Sequence, residues 1–493
     1  MYSFEDLKRL RFYRHFGNIS SIPRGSGGEK AVSDYLLRFA EELGLDCRQD
    51  EALNVIIKKK AAPGYEKEPA VVLQAHMDMV CEKTADSGHD FTKDPIVPLE
   101  KDGYLTADGT TLGADNGVGV ACIMAILEDE TLKHPALEAV ITTNEEVGME
   151  GMSQLDASAI EGTRMINLDS EREGTFSTSC AGGARIQMTL PIARSLVPMN
   201  ALPCALRVQG LTGGHSGVDI GKNRANAIVL LGRAIALLQR KIGLHVENLS
   251  GGGKLNAIPR EAAALLWLEE SQARRAMSET ENIGKIFEME YKVSEPALTL
   301  DLMLNLEDLD RKEAVFRGEA LTRQSLRNVL AAISLLPCGV LGFSQYLQGE
   351  VDSSCNLGIV ETAEEAAVFS LMARSNTNSK MDDIVARTEH LGNVLQAEVK
   401  ISNSYPAWEF RGRSPLREIC VREFTALYGK PPKLASIHGG LECALMTLKK
   451  PDMDMISLGP TILDAHTPNE RVEIASSIHM WELIVRILYS YRK

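Results

Sequence analysis

The first third of the chain alternates two hydrophobic periods. Lys30 to Gly44 carries apolar residues at helical spacing (Val32, Tyr35, Leu36, Phe39, Leu43), and the Gly-rich stretch Arg24–Gly28 precedes it as a breaker. Two short apolar runs, Leu53–Ile57 and Ala70–Gln74, read as strands. A helix opens near Asn116 with VGVACIMAILED, and Leu137–Thr143 and Arg164–Leu168 read as further buried strands. Alternation of this kind predicts an α/β fold, with a mostly parallel sheet and helices packed on its faces.

Past Gly183 the pattern shifts. A strand at Ala205–Gln209, a helix over Asn223–Leu238, the turn GGGKLNAIP and a strand at Ala262–Leu268 come first. A strand at Leu298–Asn305, a helix over Ser325–Leu336 and the stretch VDSSCNLGIVETAEEAAVFSLMAR follow. NAIPREAAALLWL and NLGIVETAEEAAVFSL share an Asn, an Ile, a Glu and an apolar strand in the same order. The echo predicts an inserted α+β domain at 185–402 built from two related units; chance likeness of two degenerate patterns is the alternative. SNSYPAWEFR reads as the crossing back. A helix (Leu416–Tyr428), the turn HGG at 438–440, a strand Met453–Leu458, the segment DAHTPNE and a closing helix Ile474–Tyr491 then complete a discontinuous domain, 1–184 with 403–493.

Composition narrows the function. At 493 residues the chain needs more than one hydrophobic core, and 44% hydrophobic with 24% charged residues is ordinary for a soluble enzyme. The net charge of -14, with Lys58–Lys60 as the longest basic run, argues against nucleic acid or an anionic membrane as partner. Nine scattered cysteines without a C-x-x-C pair argue against a disulfide framework or a thiolate zinc site, and for a reducing compartment. The start, MYSFEDLKRLRFYRHF, is amphipathic and lacks an apolar secretory core, and no apolar run is long enough to cross a bilayer. The cytoplasm is the expected location.

The chemistry gathers where predicted strands end. VVLQAHMDMV puts His76 and Asp78 two apart at the end of an apolar strand, so both face one side, at the edge where open α/β sheets bind ligands. Asp78 suits the carboxylate that fixes the tautomer of a metal-bound imidazole. In LGADNGVGV, Asp115 sits between a glycine turn and a helix start; taken singly, it is equally a helix N-cap. AVITTNEEVGMEG ends in Glu145-Glu146, two carboxylates whose burial is costly without a cation or proton. One of the pair suits a metal and the other a general base, and the residues alone do not say which. INLDSE puts Asp169 after a further strand, and DAHTPNE puts His466 in a loop after another. Each alone is an ordinary turn residue. Together they are two imidazoles and three carboxylates at one sheet edge, enough for two divalent ions sharing a carboxylate.

The motifs H-M-D, G-A-D-N, E-E-V-G, N-L-D-S and A-H-T-P-N-E resemble, in order and spacing, those of the dizinc peptidases that include carboxypeptidase G, aminoacylase and the cytosolic dipeptidases. The resemblance runs from about Ile19 to the C-terminus. It is nearest the Xaa-His dipeptidase branch, through TADGTTLGADNGVG, TTNEEVGMEG and LTGGHSG. It implies a dizinc peptidase catalytic domain interrupted by a lid domain. It also implies that Asp115 bridges two metals, His76 and Asp169 completing one site and Glu146 and His466 the other. Asp78 would then orient His76, and Glu145 would be the general base. In the lid, GLTGGHSGVDIG makes His215 the group that stabilises the oxyanion, and Asn256 and Arg374 match substrate-binding positions. SIHGGLECA matches a Gly-rich pocket loop, with Gly440 lining the pocket, but departs from the common G-T-D form by Leu441 and Glu442. Glu442 could meet a dipeptide's free amine. The cofactor implied is two divalent ions, zinc with manganese or cobalt also accepted, and the substrate an unblocked dipeptide such as Xaa-His. A homodimer through the lid is the assembly suggested. An N-acyl amino acid deacylase or a carboxypeptidase of the same fold is the alternative activity, and a non-catalytic metal-binding regulatory protein a remoter one.

Overall fold

The computed structural model describes residues 4–304 and 316–492, and the chain divides into two compact units. The first comprises Met1–Cys180, Trp408–Ser436 and Leu441–Lys493; the second comprises Ala181–Ala407 with Ile437–Gly440. Two stretches assigned above, Asn305 at the end of a predicted strand and Met1–Ser3 at the opening of the amphipathic start, fall outside the described residues.

The first unit is organised by an eight-stranded sheet. Its strands in chain order are β1 (Asp46–Gln49), β2 (Val55–Lys59), β3 (Val71–His76), β4 (Leu137–Thr142), β5 (Arg164–Asn167), β6 (Thr175–Cys180), β7 (Lys433–Ile437) and β8 (Asp454–Ser457). They lie in the order β1-β2-β4-β3-β5-β8-β6-β7. β3 runs parallel to both β4 and β5, and β8 parallel to β5, whereas β2 is antiparallel to β4 and β6 to β8. Every residue of β3 and β4 is buried, the mark of central strands covered on both faces. Helix Ala114–Glu128 packs against this sheet and is buried along nearly its whole length, so its run of apolar residues shows no amphipathic stripe. Register then sets the functional edge: His76 pairs with Thr142 and Gln74 with Asn167, so the residues just past these positions emerge together.

A second, four-stranded sheet in this unit was not legible in the sequence. The short strands Ile462–Leu463 and Arg471–Glu473 form a hairpin that pairs with Tyr104–Thr106 and, beyond it, Leu99–Lys101. The loop of that hairpin carries His466.

The second unit has its own core and a nine-stranded sheet. Its main path contains two copies of one β-α-β-β-α-β arrangement. One runs through Ala201–Gln209, helix Ala227–Leu238, Leu244–Gly251, Ala262–Glu269, helix Ala273–Tyr291 and Thr299–Met303. The other runs through Gly182–Pro191, helix Arg323–Leu335, Val351–Thr362, Ala366–Ser375, helix Asn378–Leu395 and Glu398–Tyr405. The first copy lies between the first strand and first helix of the second. Both have the same strand order, and they meet edge to edge at Ser250–Glu361 and Gly251–Val360. The sequence echo falls on equivalent pieces: EAAALLWL and EAAVFSL are the third strand of each copy. Asn356, from the second echo, donates through Nδ2 to the carbonyl of Ala257 in the first (2.8 Å).

Candidate metal centre

His76 ends β3, Glu145 and Glu146 follow β4 after a short turn, Asp169 follows β5, and Asp115 sits at the start of helix Ala114–Glu128. The structure brings all of these together with His466. His76 Nε2 lies 3.2 Å from Asp115 Oδ1 and 3.3 Å from Asp169 Oδ1. His466 Nε2 lies 3.1 Å from Asp115 Oδ2 and 3.0 Å from Glu146 Oε1. The five side chains therefore fall into two trios, each of one imidazole and two carboxylates, and Asp115 gives one oxygen to each. The carboxylate oxygens of Asp115 face the two imidazoles rather than the backbone N–H groups of the helix. The backbone of Asp115 is not helical (φ -83°, ψ 110°), which turns its carboxylate off the helix and toward the strand ends.

Asp78 is fully buried and connects three pieces of the site. Its Oδ1 lies 3.3 Å from His76 Nδ1 and accepts the backbone N–H of Glu145 (3.1 Å). Its Oδ2 accepts the backbone N–H of Glu146 (3.3 Å) and the hydroxyl of Ser26 (2.8 Å). Asp78 thus sits beside the imidazole and fixes the turn bearing the glutamate pair through two backbone N–H groups.

The protonation pattern of the metal-free site follows from crowding. Burial opposes a charge on His76, but Asp169, Asp115 and Asp78 outweigh it and hold the imidazole well above its usual range. Hydrogen bonds to Asp115 and Glu146 push His466 up to about 11. Asp115 is lowered, because contacts to both histidines overcome its burial. Burial raises Asp169 and Glu145 well above ordinary carboxylates, Glu145 being raised further by Asp169, Glu146 and Glu442 and opposed by His76. Among the described residues the ion-pair partners of Asp115, Glu146 and Asp169 are the two histidines. Converging N and O donors with excess negative charge fit divalent cations.

Asn116, not singled out by sequence, donates through Nδ2 to Asp169 Oδ1 (2.7 Å). Glu442, read as a candidate for a substrate amine, sits fully buried at the start of helix Glu442–Lys449. Its Oε2 accepts from Gln74 Nε2 and from Thr142 Oγ1 (2.7 Å), which ties it to β3 and β4, and its Oε1 is buried without a hydrogen-bond partner. Burial pushes its carboxyl up to about 7. Gly440 follows the bend at His438–Gly439, just before that helix.

The remaining assigned residues belong to the second unit. His215 Nδ1 accepts the backbone N–H groups of Gly217 (3.3 Å) and Val218 (3.2 Å), so the ring is held by its own turn and its proton must reside on Nε2. Burial and then Arg374 lower its pKa, which keeps it neutral. A Cβ on Gly217 would meet the carbonyl of His438, His215 Cε1 and the Nε of Arg374, so only glycine lets these groups close up. Arg374 is buried and its Nε has no hydrogen-bond partner. His438 Nε2 pairs with Ser354 Oγ (2.7 Å), and burial with nearby Arg374 lowers its pKa to about 4. Asn256 is exposed, and its carbonyl accepts the backbone N–H of Ser216 (2.8 Å).

Comparison with known proteins establishes the family. Residues 72–490 match the model of peptidase family M20/M25/M40, and the chain belongs to that family. It is 36% identical over 473 residues to the cytosol non-specific dipeptidase of Escherichia coli K12, covering 96% of each chain. The crystal structure of aminoacylhistidine dipeptidase from Vibrio alginolyticus superposes with a TM-score of 0.89 at 35% identity, over 97% of this chain and 96% of that one. An aminopeptidase from Bacillus cereus shares the fold alone, with a TM-score of 0.56 at 17% identity over 98% of both chains.

Proposed function

We propose that this protein is a metal-dependent dipeptidase that hydrolyses unblocked dipeptides, Xaa-His among them, with two divalent cations held by His76, Asp115, Glu146, Asp169 and His466. One observation carries the reading: the two oxygens of Asp115 each face a separate imidazole–carboxylate pair. The names of the Escherichia coli and Vibrio alginolyticus relatives support the substrate class. Zinc is the ion we favour, and the same donors accept manganese or cobalt.

Bound there, two such cations supply Lewis-acid chemistry, polarising a carbonyl and acidifying water. Glu145 takes the proton of the attacking water and returns it to the leaving amine; its raised pKa suits a carboxylate that must hold a proton in mid-reaction. Asp78 keeps His76 in the tautomer that leaves Nε2 unprotonated toward a cation. In the second unit, His215 is the donor proposed for the developing oxyanion, because its backbone-held Nδ1 forces the proton onto Nε2. Arg374, buried with an unpartnered Nε, is proposed to take the substrate carboxylate, and Asn256 its backbone.

The cysteines are all unpaired, and among the described residues no helix is long and apolar enough to cross a membrane. With a relative named for the cytosol, this supports a cytoplasmic location. For assembly we favour a homodimer through the second unit, whose sheet ends at the edge strand Thr299–Met303.

The test is a substrate panel on metal-quantified protein. Free dipeptides should be cleaved, and N-acetylated amino acids and tripeptides much more slowly. Preference for acetylated substrates would favour a deacylase, and preference for longer chains a carboxypeptidase. No hydrolysis with zinc, manganese or cobalt would leave a binding protein.

A further inference from the structure

The two metal trios meet in Asp115, yet nothing in the trios fixes the backbone that carries it. That backbone is gripped from both sides by a buried pair outside the ligand set. Glu470, 2% exposed, accepts four consecutive backbone N–H groups: Leu112 (2.8 Å) and Gly113 (2.9 Å) on Oε2, Ala114 (2.7 Å) and Asp115 (3.2 Å) on Oε1. Arg24, also 2% exposed, approaches the same turn and donates through Nη2 to the carbonyl of Gly113 (2.5 Å). Its Nη1 donates to the carbonyls of Met77 (2.9 Å) and Asp78 (3.1 Å).

The connectivity gives these bonds their meaning. Glu470 lies four residues after His466, in the hairpin that presents that imidazole. Arg24 holds the two residues that follow His76. One carboxylate therefore ties the Asp115 turn to the His466 loop, and one guanidinium ties it to the His76 strand end. Gly113 lies between them with φ +69°, and a Cβ there would collide with Arg24 Nη2 and Met79 Sδ, so the clamp requires glycine. A carboxylate accepting four N–H groups uses both oxygens fully, which an amide cannot do.

We propose that Glu470 is the positioning residue of the metal centre, setting with Arg24 the placement of Asp115 between the two imidazoles. The proposal rests on the two-cation reading above. Glu470→Gln should turn an amide NH2 toward two backbone N–H groups, displace Asp115, and weaken cation binding.

The experiment titrates metal-stripped full-length protein with zinc and with manganese by calorimetry, and follows each variant's metal-free fold by circular dichroism and thermal melting. Glu138→Gln is the control. Glu138 is a buried carboxylate of the same unit that also accepts backbone N–H groups (Glu161, 3.0 Å; Gly162, 2.7 Å), but near the opposite end of β4. We expect Glu470→Gln to raise the dissociation constant of at least one cation tenfold or more. With metal saturating, kcat should fall at least tenfold and KM change less than twofold. Glu138→Gln should lose stability and keep wild-type affinities. Should Glu470→Gln not fold, Glu470→Asp keeps the charge one methylene short and should show the same affinity loss to a smaller degree. A folded Glu470 variant with wild-type affinities for both cations overturns the inference, as does an equal loss in Glu138→Gln. Wild-type protein that binds no cation would instead overturn the two-cation reading beneath it.

Discussion

Glu145 and Glu146 are neighbours in sequence with opposite surroundings. Glu146 pairs with His466, while Glu145 keeps a raised pKa because burial and three carboxylates outweigh the pull of His76. Glu145→Gln should therefore retain the wild-type metal content, measured by plasma emission, and lose at least a thousandfold in kcat; a wild-type rate would remove Glu145 from the proton transfers. Glu442 makes a prediction about stability. Its folded carboxyl titrates at about 7 against an ordinary 4.5, so between these values the folded chain binds more protons than the unfolded one. Stability from this group is greatest below about 4.5 and falls as pH rises toward 7, by on the order of 3 kcal/mol. Glu442→Gln, whose carbonyl can still accept from Gln74 and Thr142, should flatten that fall in urea denaturation of the metal-free protein. The ligand residues were legible because each polar group interrupts or follows an apolar run. Arg24 and Glu470 were not: a buried Arg in a Gly-rich stretch looks like part of a breaker, and a carboxylate that binds backbone N–H groups leaves no pattern in side-chain spacing.

Among the elements, strands ending at the site were read to within two or three residues, since central strands announce themselves as unbroken apolar runs. Two long helices of the second unit, Ala273–Tyr291 and Asn378–Leu395, escaped. Their buried faces include Thr280 with Gly284, and Thr388 with Gly392, so the inward apolar stripe is interrupted. The helix expected from Asn223 starts instead at Ala227, because Asn226 caps it, accepting the N–H groups of Ile228 (3.0 Å) and Val229 (3.3 Å). Asn226 Nδ2 also donates to the carbonyl of Leu357 (2.9 Å), joining the two repeated arrangements. Asn226→Ala should cost about 1–3 kcal/mol in chemical denaturation while leaving metal affinity unchanged. A loss below a few tenths would mean that the cap and the tie are replaced by water.

For the whole molecule, the site is assembled from segments at both ends of the chain, residues 76 to 169 and residue 466, so cations bound there would crosslink distant segments of the first unit. Cation binding to the folded chain alone should raise its melting temperature, and chelation should lower it. Because His466 is held protonated to about 11 without metal, uptake near neutral pH must expel protons, and affinity should rise with pH. Calorimetry in buffers of different ionisation enthalpy measures that release. The most direct test of the central claim is stepwise addition of zinc or manganese to metal-stripped protein, with bound metal and hydrolysis of a free dipeptide followed on the same samples. The structure predicts saturation at about two ions per chain, with activity absent from the stripped protein and maximal at saturation. Full activity without metal, or saturation at a single ion with maximal turnover, would contradict it.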